Sequence, residues 1–264
     1  MPPDPAYLAT AVEAALAAGR IQRASFRRDL RIDKKGRIDL VTAADLQVER
    51  EFRQLIDSRF PSHTVLGEEQ GASLGRSASR FRWIIDPIDG TTNFAHGLSL
   101  FCCSIALEID GQLAVGAVYD PLGEELFTAE RGVGAWLNGA PLRVSTCDRL
   151  VEALVCTGFP YTVGEERHRM VAVFSEFLGE AQGVRRLGSA GLDLCYVAAG
   201  RFDGFWEQKL HPWDMAAAVL IIEEAGGLVT DYAGHPVDMF GGQIVASNGR
   251  LHPLMLDTIR KAER

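Results

Sequence analysis

Two carboxylates follow a short apolar run in the first half of the chain. Residues 83–85 (WII) predict a buried β-strand, and Asp86 and Asp89 come directly after it, bracketing Pro87. Carboxylates at the end of a strand are available to a site, and Gly90 lets a ligand approach the backbone N–H groups that follow. A phosphate would fit at such a turn. An Asp-Pro turn that caps a helix is the competing structural explanation.

Three further acidic residues occupy comparable positions elsewhere. Glu68 follows a short apolar run within a Gly-Glu-Glu sequence, and Asp214 enters the first turn of an otherwise apolar helix after a His-Pro-Trp run. Asp45 ends a Thr-x-x-Asp pattern that begins at Thr42. Each has a structural explanation of its own, because Asp214 can stabilise a helix dipole and Asp45 can complete a capping box. Their combination, rather than any one residue, indicates function.

Hydrophobic periodicity predicts the helices and strands that carry these acidic residues. Apolar residues at helical spacing predict helices over 8–16 and 46–56, and short β-rich runs from 81 to 137 predict a largely antiparallel sheet. In the second half, strands are predicted over 151–159, 184–187, 203–207, 228–230 and 243–247, and helices over 165–178, 189–199, 213–225 and at the C-terminus. The fold class is therefore α+β or layered α/β, as a single domain over residues 1–264.

The segment 29–39 (DLRIDKKGRID) interrupts the two early helices. It alternates charged residues with Ile32 and Ile38 around a Lys-Lys-Gly run. This pattern predicts a hairpin or a mobile loop, which could act as a flexible lid.

Composition bounds the class of protein. A formal net charge of −8 over 264 residues argues against nucleic acid or an anionic membrane surface as the main partner. Five cysteines without metal-type spacing indicate thiols in a reducing compartment. The first 28 residues lack the pattern of a secretion signal, and no apolar run reaches the roughly 20 residues that span a bilayer. We therefore expect a cytoplasmic protein with a small-molecule substrate.

Taken together and in this order, the motifs resemble those of the inositol monophosphatase family. Its signatures are G-E-E, D-P-[IL]-D-G-T-[TS]-N-F, and W-D followed by a small-residue helix and E-A-G-G. They stand here at 67–69, 86–94, 213–217 and 224–227. The resemblance covers nearly the whole chain and implies an αβαβα sandwich of the sugar phosphatase type, a homodimer, and a lithium-sensitive, magnesium-dependent phosphatase.

The resemblance also implies a metal site for two or three Mg²⁺ ions. The matching ligands are Glu68, Asp86, the backbone carbonyl of Ile88, Asp89 and Asp214. Oxygen ligands of this kind suit a hard cation that keeps several waters and takes its remaining ligands from a substrate phosphate. They also admit Mn²⁺.

The mechanism implied by the resemblance is direct in-line attack on phosphorus by a metal-bound water, with no phosphoenzyme. Glu68 polarises this water, and so does Thr91, through a hydrogen bond to Asp45. Two metal ions stabilise the attacking and leaving oxygens, while backbone N–H groups around Gly90 and Thr91 orient the phosphoryl group.

Two other segments match the family's substrate-binding residues. Glu207 matches an acidic residue that hydrogen-bonds the hydroxyls of a sugar or inositol, and Asp89 shares that role. Gly188, Ser189 and Ala190 match a segment whose backbone faces the polyol ring. A charge at a strand end and an ordinary helix cap are the structural explanations of these residues.

Several functions remain open. Inositol 1-phosphate is the favoured substrate, with fructose 1,6-bisphosphate or another sugar phosphate as the close alternative, and adenosine 3′,5′-bisphosphate is less favoured. A regulatory protein that binds RNA or the transcription machinery is the alternative from a different class. The acidic net charge weighs against direct RNA contact, although Arg20, Arg23, Arg27 and Arg28 could cluster on one helix face.

Overall fold

The structure of the protein, a computed structural model, describes residues 4–28, 32–34, 40–72, 79–160 and 164–262. The helices in this part of the chain are α1 (Pro5–Ser25), α2 (Ala43–Arg59), α3 (Thr91–Ala95), α4 (Arg167–Glu180), α5 (Ala190–Ala198), α6 (Pro212–Glu224) and α7 (His252–Ala262). None of them combines the length and apolar character needed to cross a lipid bilayer. The strands are β1 (Ile32–Lys34), β2 (Leu40–Thr42), β3 (Thr64–Gly67), β4 (Gly71–Ala72), β5 (Phe81–Asp89), β6 (Cys102–Ile109), β7 (Gln112–Asp120), β8 (Glu125–Glu130), β9 (Gly134–Leu137), β10 (Ala140–Pro141), β11 (Leu154–Thr157), β12 (Gly183–Arg185), β13 (Gly204–Gln208), β14 (Leu228–Thr230) and β15 (Gln243–Ser247).

Most strands belong to two sheets. The first has the order β10-β9-β8-β7-β6-β5-β3-β4 and is antiparallel except for the parallel pair β3–β5. The second has the order β12-β11-β13-β15-β14, with β11 parallel to both of its neighbours. β1 and β2 form a separate two-stranded antiparallel ladder.

Helices flank and separate the two sheets. α1 and α2 pack on one face of the first sheet, α5 and α6 lie between the sheets, and α4 and α7 cover the outer face of the second sheet. Each sheet therefore buries both faces against helices, which is a stable way to remove apolar surface from water. This order of layers is the αβαβα sandwich that the resemblance implied.

The central layer holds the start of α6 close to the first sheet. α6 lies so near β7 that a Cβ added at Gly116 would come within 2.8 Å of the Ala217 carbonyl oxygen. On the neighbouring strand, the Ser104 hydroxyl donates a 3.2 Å hydrogen bond to the Trp213 carbonyl oxygen. These contacts fix the first turn of α6, which carries Asp214, beside β6.

The predicted helices and the antiparallel region from 81 to 137 are confirmed. The strand predicted over 151–159 is shorter, because Leu150–Glu152 forms a 3-10 turn before β11. Within 29–39, Ile32–Lys34 forms one strand of the β1–β2 ladder, as a hairpin requires. Residues 29–31 and 35–39 lie outside the described part of the chain, so the lid stays a prediction.

Candidate active site

Asp86 and Asp89 line the same cavity because the strand that carries them is bulged. β5 continues through both carboxylates instead of ending before them, as the sequence suggested. Asp86 pairs with Ser104 and Asp89 with Cys102, so four residues of β5 lie opposite three of β6. Residues three apart in a regular strand point to opposite faces, and one extra residue brings them to the same face. Pro87 is tolerated here because a bulge interrupts the ladder that its missing N–H would otherwise break.

Two hydrogen bonds hold the turn between these carboxylates. Asp86 Oδ1 accepts from the Ile88 N–H at 3.0 Å, and the Gln22 side chain on α1 donates to the Pro87 carbonyl oxygen at 2.7 Å. Gln22 is fully buried, so the helix on the outer face of the first sheet also supports the site. Sequence reasoning missed Gln22, because nothing around it marks a contact with residues so distant in the chain.

Asp89 is held by the first turn of α5, from the other half of the chain. Its Oδ2 accepts hydrogen bonds from Ser189 Oγ at 2.5 Å and from the Gly191 N–H at 2.7 Å. Its Oδ1 accepts from the Ala190 N–H at 3.2 Å, and the Cys102 thiol donates to Oδ2 at 3.5 Å. Burial raises the pKa of Asp89, and the hydrogen bonds to Oδ2 oppose that rise because they stabilise the charged form.

Glu68 follows β3, the strand parallel to β5. The turn that contains it is anchored by Glu49 of α2, which is fully buried and accepts hydrogen bonds from the N–H groups of Glu69 (2.8 Å) and Gln70 (3.1 Å). Gly67 makes room for this anchor, because a Cβ there would lie 2.5 Å from the Glu49 carboxylate. Sequence reasoning missed Glu49, which resembles any charged residue on an amphipathic helix.

Asp214 extends into the site from the start of α6. Its Oδ2 accepts a 2.6 Å hydrogen bond from the His211 N–H, so it does cap the helix. The same side chain lines the cavity together with Asp86 and Asp89. Asp214 therefore stabilises the start of the helix, which is its structural explanation, and also belongs to an acidic site.

Asp86, Asp89 and Asp214 form an acidic cluster in which one oxygen from each lies within 4.8 Å of the others. Burial raises the pKa of Asp86 well above its ordinary value, and the charges of Glu68, Asp89 and Asp214 raise it further. Carboxylates this close repel one another unless a cation or a proton lies between them. Because the donors are all oxygens, the cluster fits a hard divalent cation.

Thr91 and Asp45 do not form the predicted hydrogen bond. The Thr91 hydroxyl donates to the Ile88 carbonyl oxygen at 2.9 Å, whereas Asp45 Oδ2 accepts from the Thr42 N–H at 2.8 Å and the Thr42 hydroxyl at 2.6 Å. A hydroxyl has one proton, and Thr91 has already committed it. Asp45 completes the capping box of α2 outside the cavity lining, and burial raises its pKa to about 7. That part of the prediction is wrong.

The acidic cluster opens into a cavity of about 360 Å³. The predicted substrate residues line it together: Asp89, Gly90, Thr91, Gly188, Ser189, Ala190 and Glu207. Glu207 is buried and packs so closely on Gly158 that a Cβ added there would lie 2.1 Å from Glu207 Oε2. Burial raises the pKa of Glu207 well above its ordinary value, and the charge of Asp193 adds to the rise.

Three charged residues that sequence reasoning missed also line the cavity: Arg186, Asp193 and Lys209. Asp193 is 1% exposed, and neither of its carboxyl oxygens accepts a hydrogen bond from an N–H or O–H group of the described residues. Burial raises its pKa to about 8, although a hydrogen bond from the Cys156 thiol opposes the rise. A lone acid within the apolar sequence of α5 was the signal that could have identified it. Lys209 forms a 3.0 Å ion pair with Glu166.

Comparison with known proteins agrees with this architecture. The chain matches the inositol monophosphatase family over residues 5–264. It is 45% identical over 247 residues to the inositol-1-monophosphatase of Synechocystis, covering 93% of this chain and 86% of the relative. It is also 42% identical over 255 residues to the Nus factor SuhB of Salmonella typhimurium, covering 96% and 95%. The crystal structure of extragenic suppressor protein suhB from Bartonella henselae matches with a TM-score of 0.92 at 39% identity, covering 97% of this chain and 99% of that one.

The layered fold, the acidic cluster and these relatives define a phosphoric monoester hydrolase of a kind that depends on a divalent metal ion. The chain belongs to the inositol monophosphatase family. The resemblance drawn from its motifs is thereby confirmed.

Proposed function

We propose that the protein hydrolyses a small phosphate monoester in a Mg²⁺-dependent reaction, with inositol 1-phosphate as the favoured substrate. The observation that carries the proposal is the cluster of Asp86, Asp89 and Asp214 in a cavity that also contains the buried carboxyl of Glu207. The cluster suits a cation and the phosphate it attracts, while Glu207 offers an acceptor to substrate hydroxyls.

We assign the binding of two or three Mg²⁺ ions, or of Mn²⁺, to the oxygens of Glu68, Asp86, Ile88, Asp89 and Asp214. The Ile88 carbonyl oxygen accepts the Thr91 hydroxyl and keeps a second lone pair for an ion. When bound, the ions supply charge neutralisation at the phosphate oxygens and a lowered pKa for the attacking water.

Thr91 and Glu68 orient the attacking water in this proposal. Because the Thr91 hydroxyl donates to the Ile88 carbonyl, its own oxygen is left as an acceptor for a water proton. The Glu68 carboxylate lines the same cavity and accepts a hydrogen bond from the other O–H of this water. With both O–H groups oriented in this way, the water presents a lone pair to phosphorus. Backbone N–H groups of Gly90 and Thr91 orient the phosphoryl oxygens. We assign Asp45 an indirect role, since it fixes the start of the helix that carries Glu49.

Glu207 recognises the hydroxyls of the polyol. Asp89 and the backbone of Gly188 and Ala190 form the rest of the substrate-binding surface. Support comes from the position of these residues in one cavity lining. The proton of the Ser189 hydroxyl is committed to Asp89, so this hydroxyl cannot donate a hydrogen bond to a substrate.

A sugar bisphosphate is the close alternative, since Arg186 and Lys209 in the same lining would attract a second phosphate. The deciding experiment is phosphate release with Mg²⁺ over a panel of inositol 1-phosphate, fructose 1,6-bisphosphate and adenosine 3′,5′-bisphosphate. We expect the highest kcat/KM on inositol 1-phosphate. Preference for fructose 1,6-bisphosphate would select the alternative, and no release from any ester would refute the proposal.

A transcription-associated role is the second candidate, because relatives 42% identical to this chain are named Nus factor SuhB. Of the arginines predicted to form a basic face, Arg23 pairs with Glu124 at 2.8 Å and Arg27 donates to the Gly97 carbonyl oxygen at 3.0 Å. We therefore expect little retention of mixed-sequence single-stranded RNA, even at about 50 mM salt. Tight, salt-sensitive retention would favour this second role.

A homodimeric state, a cytoplasmic location and a single domain over residues 1–264 stay predictions. Size-exclusion chromatography with light scattering tests the first, and we expect twice the monomer mass of 28.8 kDa.

A further inference from the structure

The hydroxyl of Ser189 contacts a carboxylate of the acidic cluster. Ser189 Oγ lies 2.5 Å from Asp89 Oδ2 and 3.7 Å from Cys102 Sγ, and the residue is 1% exposed. A carboxylate oxygen only accepts, so the serine proton belongs to this hydrogen bond. The same hydroxyl cannot donate to a substrate.

The hydroxyl does not serve its own helix. Ser189 is the N-cap residue of α5, but its side chain makes no capping hydrogen bond. Asp89 fills that place, because it accepts from the N–H groups of Ala190 and Gly191. Loss of the hydroxyl would therefore leave the cap of α5 intact, and the effect of such a change should appear at Asp89.

The two oxygens of Asp89 have different surroundings. Oδ2 accepts from Ser189, Gly191 and Cys102, whereas among the described residues Oδ1 accepts only the longer, 3.2 Å hydrogen bond from Ala190. The donors around Oδ2 use up its lone pairs and fix the carboxyl plane. Oδ1 is left as the oxygen with capacity for a further ligand.

The segment around Ser189 is itself fixed against the acidic motif. Asn93 Nδ2 donates to the carbonyl oxygens of Leu187 at 2.9 Å and Leu100 at 2.8 Å. A Cβ added at Gly90, whose φ is +90°, would lie 3.2 Å from the Ser189 Cβ. These contacts fix the backbone around Ser189, so its hydroxyl holds Asp89 from a well-packed segment.

We propose that Ser189 is a positioning residue of the metal site, whose hydroxyl fixes Asp89 so that Oδ1 is presented to a divalent cation. The proposal rests on the assignment of Asp89 as a metal ligand in the proposed function. Groups that orient a metal ligand in this way change metal affinity when they are removed, although they never touch the metal.

The test is the Mg²⁺ affinity of the full-length protein without substrate, measured by isothermal titration calorimetry. We expect Ser189→Ala to weaken Mg²⁺ binding about 10- to 100-fold. Ser189→Thr keeps the hydroxyl and should bind within about 2-fold of wild type, since an intact donor preserves the orienting hydrogen bond. The matched control is Ser247→Ala, because Ser247 is fully buried and bonds His252 at 2.9 Å away from the cavity lining. It should leave Mg²⁺ affinity unchanged.

Equal Mg²⁺ affinity in Ser189→Ala and wild type would overturn the inference, as would an equal loss in Ser247→Ala. If Ser189→Ala does not fold, Ser189→Gly decides, since glycine is accepted at an N-cap and also lacks the hydroxyl. Failure of the proposed function looks different: a protein that shows these Mg²⁺ affinities but releases no phosphate from the substrate panel would keep the role of Ser189 and lose the phosphatase assignment.

Discussion

The carboxylate of Asp214 accepts a 2.6 Å hydrogen bond from the backbone N–H of His211, so the residue that caps α6 is also a member of the acidic cluster. Its charge is compatible with the helix N-terminus and unfavourable beside Asp86 and Asp89. Removal of the Asp214 charge should therefore affect the stability of the helix and the binding of metal differently, and a mutation can distinguish the two roles.

Replacing Asp214 by Asn should lower kcat by orders of magnitude while leaving the metal-free protein as stable as wild type or more stable. The amide oxygen can still accept from His211, and the repulsion within the cluster falls. Thermal melts with and without Mg²⁺ should show a smaller metal-induced rise in Tm for the variant.

The matched control is Asp231→Asn, since Asp231 accepts hydrogen bonds from the Ala233 and His235 N–H groups in a turn outside the cavity lining. Its Mg²⁺-induced rise in Tm should equal that of wild type. A fully active Asp214→Asn protein would remove Asp214 from the metal site.

Gly158→Ala should impair polyol phosphates more than a simple aryl phosphate. The added Cβ would lie 2.1 Å from Glu207 Oε2, so the Glu207 carboxylate must move away from substrate hydroxyls. Glu207→Gln should show the same selective loss in kcat/KM, because the amide replaces one of the two oxygens that can bind substrate hydroxyls, and such a hydrogen bond contributes roughly 0.5–1.5 kcal/mol.

Gly179→Ala is the control for this series, since a Cβ added there would have no atom of the described residues within 4 Å beyond its own stretch of helix. It should leave both substrates unaffected. Equal losses on the aryl and polyol substrates in Gly158→Ala and Glu207→Gln would place Glu207 in the chemical step or in the scaffold.

Asp193 should make the metal-free protein less stable as pH rises. Burial raises its pKa from an ordinary 3.8 to about 8, so between these values the folded state binds more protons than the unfolded state. Stability from this group is present at low pH and is lost as pH rises toward 8. Asp193→Asn removes the titration. Its free energy of unfolding relative to wild type should therefore increase by roughly 2–4 kcal/mol between pH 5 and pH 8.

Denaturant unfolding of both proteins at the two pH values measures this difference, with chelator present throughout. A difference that is the same at pH 5 and pH 8 would mean that Asp193 ionises in the folded protein at no cost. That result would mean that the Cys156 thiol and the Arg186 charge stabilise the Asp193 carboxylate enough to offset its burial.

The parts of the site that lie close together in the chain were predictable from sequence. An apolar run precedes Asp86, and Pro87 and Gly90 follow it. These residues predict a strand, a turn and the start of a helix, because each of these structures has its own residue preferences. Bringing Glu68 and Asp214 to the same place depended on the family resemblance, since no local rule joins residues so far apart.

What the sequence did not predict depends on contacts across the fold. The bulge that places Asp86 and Asp89 on the same face of the sheet depends on how β5 pairs with β6. The residues around the bulge do not by themselves indicate this pairing register. Ser189 reaches Asp89 across a separation of 100 residues. The Thr91 hydroxyl donates to the Ile88 carbonyl oxygen, three residues away, and not to Asp45. The local geometry of the turn decides between these two acceptors.

We expect the acidic cluster to act in phosphate ester hydrolysis by holding a divalent cation. The most direct measurement is phosphate release from inositol 1-phosphate after exhaustive chelation, followed by addition of Mg²⁺, Zn²⁺ or Ca²⁺. We predict that chelation abolishes release and that Mg²⁺ restores it better than the other two ions, because all the assigned ligands are oxygens. Undiminished release from the chelated, metal-free protein would contradict a metal-dependent reaction at this cluster.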